Sequence, residues 1–120
     1  MEIGYEVFHP NLAVLVGFYV EVLGFQGPQR TDGIDHVVVS RGQVRVGCTL
    51  SPDADAHPPS RWPPAGSEIV LRVKDVNAEY DRVIETGWPL ADPLMKRPWG
   101  LTDFRVFDPT GQYLRISSQR

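Results

Sequence analysis

Apolar and polar positions fall into two similar runs along the 120-residue chain. Ile3 to Phe8 is short and rich in β-branched and aromatic residues, which predicts a strand. His9-Pro10-Asn11 breaks it, and Asn11 can cap a helix through Leu12 to Leu23, ended by Gly24. His36 to Ser40 and Gln43 to Leu50 read as strands joined at Arg41-Gly42. The order then repeats. Glu68 to Val73 predicts a strand with Ile69, Leu71 and Val73 on one face. Asp75-Val76-Asn77 leads into a helix through Ala78 to Glu85, ended at Thr86-Gly87. A loop holding Trp88, Pro89, Pro93, Pro98, Trp99 and Gly100 precedes strands Asp103 to Phe107 and Tyr113 to Ser117. Asp108-Pro109-Thr110-Gly111 forms the turn between them.

Between the two runs, residues 51–67 read SPDADAHPPSRWPPAGS, with five prolines and almost no aliphatic residues. Proline disfavours helix and removes donors, so this stretch predicts a semi-extended connector. The chain is therefore expected to be one domain over 1–120, with module one at about 1–50, the connector at 51–67 and module two at 68–120. Neither helix can bury its apolar face alone. The expected fold class is α+β: two βαβββ modules forming a concave mixed sheet with helices outside. A concave sheet is a natural small-molecule site.

Composition narrows the function. Apolar residues are 42% of the chain and charged residues 22%, which suits a globular core. Twelve Lys and Arg against fifteen Asp and Glu leave a net charge of -3, no general attraction for nucleic acid or an anionic membrane. The halves differ: residues 1–60 carry three basic and seven acidic side chains, residues 61–120 nine and eight. The single cysteine, Cys48, excludes an intrachain disulfide and a cysteine-only zinc site, and in a strand it reads as a small hydrophobe. Met1-Glu2-Ile3-Gly4 begins no visible signal peptide, and no apolar run approaches the roughly 20 residues of a membrane span. The expected location is the cytoplasm.

Three segments carry a family resemblance: Phe18-Tyr19-Val20-Glu21-Val22-Leu23-Gly24-Phe25, Pro98-Trp99-Gly100, and Asp108-Pro109-Thr110-Gly111-Gln112. With them the chain resembles the vicinal oxygen chelate superfamily, which includes glyoxalase I, bleomycin-resistance proteins and extradiol dioxygenases. Pro-Trp-Gly followed by Asp-Pro-x-Gly is most similar to the bleomycin-resistance-like branch. The resemblance implies paired βαβββ modules and a homodimer. It also implies four positions where metal-dependent relatives hold ligands, one on the first and one on the last strand of each module. They fall at Gly4, at Val46 or Gly47, at Glu68 and at Arg115. Only Glu68 can bind a divalent cation, whereas a two-histidine-plus-carboxylate site needs three converging ligands. No metal and no cofactor are expected.

Period-2 alternation sets Glu6 and Phe8 on the face of Gly4, Val70 and Arg72 with Glu68, and Tyr113 and Ser117 with Arg115. Glu68 and Arg115 are expected to pair, because buried opposite charges each need a partner. The expected ligand-binding residues are Glu6, Phe8, Trp62, Glu68, Arg72, Trp99, Arg105, Phe107, Tyr113 and Arg115. Their aromatic rings suit planar or heteroaromatic ligands, and their arginines an anionic or carbonyl-bearing one. His9, His36 and His57 are not at metal-ligand spacing and read as solvated or capping histidines. The expected function is a metal-free small-molecule-binding protein that sequesters an aromatic or polycyclic compound, such as an antibiotic, in a cleft between modules. The alternative is a divalent-metal-dependent lyase, isomerase or dioxygenase with Glu68 or Glu6 as general base. The expected partners are a small-molecule ligand and a second copy of the chain, with no nucleic acid and no membrane.

Overall fold

Helix starts and stops in both halves follow capping chemistry. In the computed structural model, which describes residues 1–28, 33–54 and 66–120, Asn11 Oδ1 accepts from Val14 N at 3.2 Å and Asp75 Oδ1 accepts from Ala78 N at 3.0 Å. These bonds satisfy amide donors that the first helical turn leaves open. The chain divides into two compact units, Met1–His57 and Pro58–Arg120. The fold is α+β, with one sheet and one helical segment among the described residues of each unit.

The first unit runs β1 (Glu6–His9), α1 (Leu12–Gly17), β2 (His36–Arg41) and β3 (Val44–Leu50). Its sheet has the order β1-β3-β2, with β1 parallel and β2 antiparallel to β3. The expected continuous helix to Leu23 is α-helical only to Gly17. Phe18–Val22 is a π-helical stretch, closed by Leu23 N donating to Phe18 O, five residues back, at 3.2 Å. The wider turn buries Phe18, Tyr19, Val22 and Leu23 together, with Tyr19 edge-on to both Phe18 and Phe25. Gly24, with φ 73°, then ends the segment as expected. The hairpin turn is Gly42-Gln43, one residue beyond the expected position, because the positive φ of 58° falls on Gly42. Strand β1 starts at Glu6 and not at Ile3, so Gly4 lies just outside it.

The second unit runs β4 (Ile69–Val73), α2 (Val76–Thr86), β5 (Asp92–Lys96), β6 (Thr102–Phe107) and β7 (Tyr113–Ser118). Its order is β4-β7-β6-β5, with β4 parallel to β7 and the other pairs antiparallel. Strand β5 corrects an expected loop. Pro93 is tolerated because β5 is an edge strand and its register shifts between Asp92 and Met95. The first unit holds three strands among the described residues. An isolated antiparallel bridge, Gln26 to Ser40, flanks β2 where β5 flanks β6 in the second unit.

Each sheet turns alternate side chains to its helix. Val7, Val37, Val39, Val46 and Cys48 are buried with Leu12, Leu15 and Val16 of α1. Phe104, Val106, Leu114 and Ile116 are buried beside α2, where Tyr80 meets Phe104 with ring centroids 5.2 Å apart. The opposite faces carry the charged and aromatic residues considered below. Gly87 ends α2 at φ 79°, a conformation costly for any residue with a Cβ. Gly87→Ala is expected to cost about 1 kcal/mol, measured by urea unfolding, with space around the position unchanged. Among the described residues, no helix is long and apolar enough to cross a membrane.

Candidate functional site

Strand register orders the far face of the second sheet into rows. Asp103 of β6 is opposite Ser117 of β7, which is opposite Arg72 of β4. In the next row, Arg105 is opposite Arg115 and Arg115 opposite Val70. Then Phe107 is opposite Tyr113. One end is therefore polar, the middle is cationic and the other end is aromatic. Because side chains alternate, the residues between these face the helix instead.

Glu68 and Arg115 form the expected ion pair, Arg115 Nη2 donating to Glu68 Oε1. Both side chains are about three-quarters buried, with 22% exposure for Arg115 and 23% for Glu68. The guanidinium of Arg115 also lies over the Trp99 ring, 5.9 Å from its centroid. Its buried Nε has no hydrogen-bond partner among the described residues. Trp99 itself is exposed, in the turn closed by Arg97 N donating to Leu101 O at 2.8 Å. Phe107 and Tyr113 stack at a tilt with centroids 5.2 Å apart, and Tyr113 is buried. Trp88 packs on the same strand end and donates from Nε1 to Phe107 O at 2.9 Å, a structural role.

A second charge cluster adjoins the first. Asp103 is fully buried, and its Oδ1 accepts from Arg97 Nε at 2.9 Å and from Arg105 Nε at 3.3 Å. Arg97 Nη2 also reaches Asp92 Oδ2 at 3.0 Å. Asp103 Oδ2 has no hydrogen-bond partner among the described residues. Burial opposes the charge on Arg105, but hydrogen bonds to Tyr113 and Asp103 outweigh it and hold the guanidinium's pKa above its ordinary value. Sequence reasoning passed over Asp92, Arg97 and Asp103. Asp103 shares the parity of Arg105 and Phe107, so alternation alone could have placed it on this face. Asp92 falls where a loop is expected; instead it sits in β5 opposite Arg105. Nothing in the pattern marked Arg97, which comes from the loop.

The first unit gathers a smaller set on its corresponding face. Glu6 Oε1 and His36 Nε2 are 3.4 Å apart, both about half exposed. Parallel pairing puts Glu6 opposite Gly47, while antiparallel pairing puts His36 opposite Thr49 two residues on. His36 is thus solvated, as expected, and in addition meets Glu6. His9 keeps its capping role, its Nδ1 accepting from Asn11 N at 2.8 Å. Glu6 leans across Gly47, so closely that a Cβ there would lie 1.4 Å from Glu6 Oε2. Phe8 and Val38 on this face are half exposed. Trp62 and His57 lie outside the described residues. Cys48 is fully buried.

A sequence profile of the "Glyoxalase/Bleomycin resistance protein/Dioxygenase superfamily" matches residues 5–116. The chain belongs to the glyoxalase/bleomycin resistance protein/dioxygenase superfamily. No curated protein sequence matches it. Similar solved structures include TioX from Micromonospora sp. ML1, at 21% identity and a TM-score of 0.73 over 100% of this chain and 97% of that one. A glyoxalase/bleomycin resistance protein/dioxygenase from Alicyclobacillus acidocaldarius gives 20% and 0.72 over 97% and 89%. A lactoylglutathione lyase from Agrobacterium tumefaciens gives 18% and 0.66 over 98% and 92%. At these identities the likeness is one of fold.

Membership in the glyoxalase/bleomycin resistance protein/dioxygenase superfamily raises the question of a divalent metal. Register now decides between Val46 and Gly47: β1 pairs Glu6 with Gly47 as β4 pairs Val70 with Arg115, so Gly47 is the counterpart of Arg115. Of Gly4, Gly47, Glu68 and Arg115, two have no side chain and one is a cation. The remaining carboxylate is engaged by that cation. Among the described residues no three His, Cys, Asp or Glu side chains converge. The donor set at these four positions does not fit a divalent ion.

Proposed function

We propose that the protein binds a small aromatic or polycyclic compound without covalent chemistry, in the manner of bleomycin-resistance proteins, with an aromatic antibiotic as one member of that ligand class. It acts as a cytoplasmic homodimer, the commonest closed oligomer. One observation carries the reading: the guanidinium of Arg115 holds Glu68 and lies against Trp99. An organic cation from the chain thus stands where the family resemblance puts a metal ligand, next to an exposed aromatic ring. Trp99 and Phe107 supply flat apolar surface for a planar ligand, with buried Tyr113 packed against Phe107, and Glu68, Arg72, Arg105 and Arg115 supply polar handles at its edge. Glu6 and Phe8 form the corresponding surface of the first unit, and Trp62 is proposed as a further aromatic contact. The Pro98-Trp99-Gly100 and Asp108-Pro109-Thr110-Gly111 segments support the bleomycin-resistance-like branch.

Intrinsic tryptophan fluorescence tests the reading. A panel of aromatic antibiotics is expected to include compounds that quench saturably. Tyr113→Leu and Trp99→Leu are expected to weaken their binding about tenfold or more, since a well-packed aromatic contact contributes about 1–3 kcal/mol. A panel that never saturates would count against it. The contact of Glu6 with His36 favours one second reading, an enzyme with Glu6 as general base on the first unit. Turnover of a quenching compound that stops in Glu6→Gln would establish that reading in place of sequestration.

A further inference from the structure

The chain as a whole carries a net charge of -3, yet the far face of its second sheet has the opposite balance. Arg72, Arg97, Arg105 and Arg115 stand there against Glu68, Asp92 and Asp103. The three carboxylates are each engaged: Glu68 by Arg115, Asp92 by Arg97, and Asp103 by Arg97 and Arg105. Arg72 is exposed and has no hydrogen-bond or ion-pair partner among the described residues. In the middle of the face, Arg105 and Arg115 are directly opposite each other on adjacent strands. Like charges so placed repel, and an anion between or beside them relieves the repulsion. Arg115 Nε is buried and has no acceptor among the described residues. Register puts Arg72 diagonal to Arg115 on the same face, one step toward the polar row.

We infer that the ligand of this face carries an oxyanion, a carboxylate or a phosphate, on its planar body. The inference rests on the binding-protein reading proposed above and adds the ligand's charge. The oxyanion is received by Arg72 and Arg115, guanidiniums being suited to paired oxygens. The planar body lies toward Trp99 and Phe107. Asp103 does not oppose this arrangement, because its charge is already compensated by two guanidiniums. Cationic ligands are selected against by the same excess of arginine.

Isothermal titration calorimetry with benzoate, 2-naphthoate and anthracene-2-carboxylate, each beside its carboxamide and its aminomethyl counterpart, tests this. 2-Naphthyl phosphate in the same panel distinguishes a phosphate from a carboxylate. For the ring size that binds, the oxyanion is expected to bind about tenfold more tightly than the carboxamide, and the aminomethyl compound most weakly. In Arg72→Gln that gap is expected to narrow to about threefold, because the oxyanion weakens more than the carboxamide. Equal affinities for oxyanion and carboxamide, preference for the aminomethyl compound, or an unchanged gap in Arg72→Gln would overturn the inference and leave the binding reading standing. Absence of binding by every compound at about 1 mM would overturn the binding reading, and the inference with it.

Discussion

Asp103→Ala is expected to destabilise the protein by about 3–5 kcal/mol, the usual cost of removing one partner from a buried charge cluster. The carboxylate is fully buried and holds two guanidiniums, Arg97 and Arg105, whose side chains are only 10% and 17% exposed. Its removal leaves both without their shared acceptor. Arg97 retains Asp92, and Arg105 retains Tyr113, so the loss is not larger still. Urea unfolding measures it. Such a loss is a large part of the roughly 5–15 kcal/mol that holds an ordinary domain together. Asp103→Asn is expected to cost less, because the amide oxygen can still accept from one guanidinium. A change below about 1 kcal/mol for Asp103→Ala would mean that the cluster is more solvated than its burial implies.

Glu68 and Arg115 are expected to be strongly coupled. Glu68→Gln alone leaves a three-quarters buried guanidinium with Trp99 as its neighbour and no counter-charge. Arg115→Met alone leaves the converse, a carboxylate without its cation. Each is expected to cost about 1–3 kcal/mol. The double variant is expected to cost less than the two singles combined, by about 1–2 kcal/mol, because it removes the pair and leaves no orphaned charge. A double-mutant cycle by chemical unfolding reads this directly. Additive effects would show that the two groups interact with solvent more than with each other.

Much of this arrangement was legible in the residues themselves. Alternation from Tyr113 to Ser117 separated Leu114 and Ile116, which are buried toward the helix, from Arg115 on the far face. Asn11, Gly24, Asp75 and Gly87 marked helix ends because capping and positive φ are local chemistry. Local chemistry failed where packing decides. The π turn at Phe18–Val22 depends on how four bulky side chains fit against a sheet. Strand β5 hid behind Pro93 because an edge position, visible only in three dimensions, is what makes proline acceptable there. The meeting of Glu6 with His36 joins strands about thirty residues apart in sequence and depends on two registers at once. The pairing of Glu68 with Arg115 was anticipated because the family resemblance placed both at positions where two ligands of one metal would meet. Arg97 gave no such sign, since a loop arginine looks alike whether it clamps a buried carboxylate or waves in water.

The most direct test of the central claim is the metal content of protein purified without a metal-affinity column and dialysed to equilibrium. Occupation of Glu68 by Arg115, with glycine at Gly4 and Gly47, leads to an expected content far below one ion per chain for zinc, nickel, iron and manganese. One tightly held ion per chain, lost in Glu68→Gln, would contradict it.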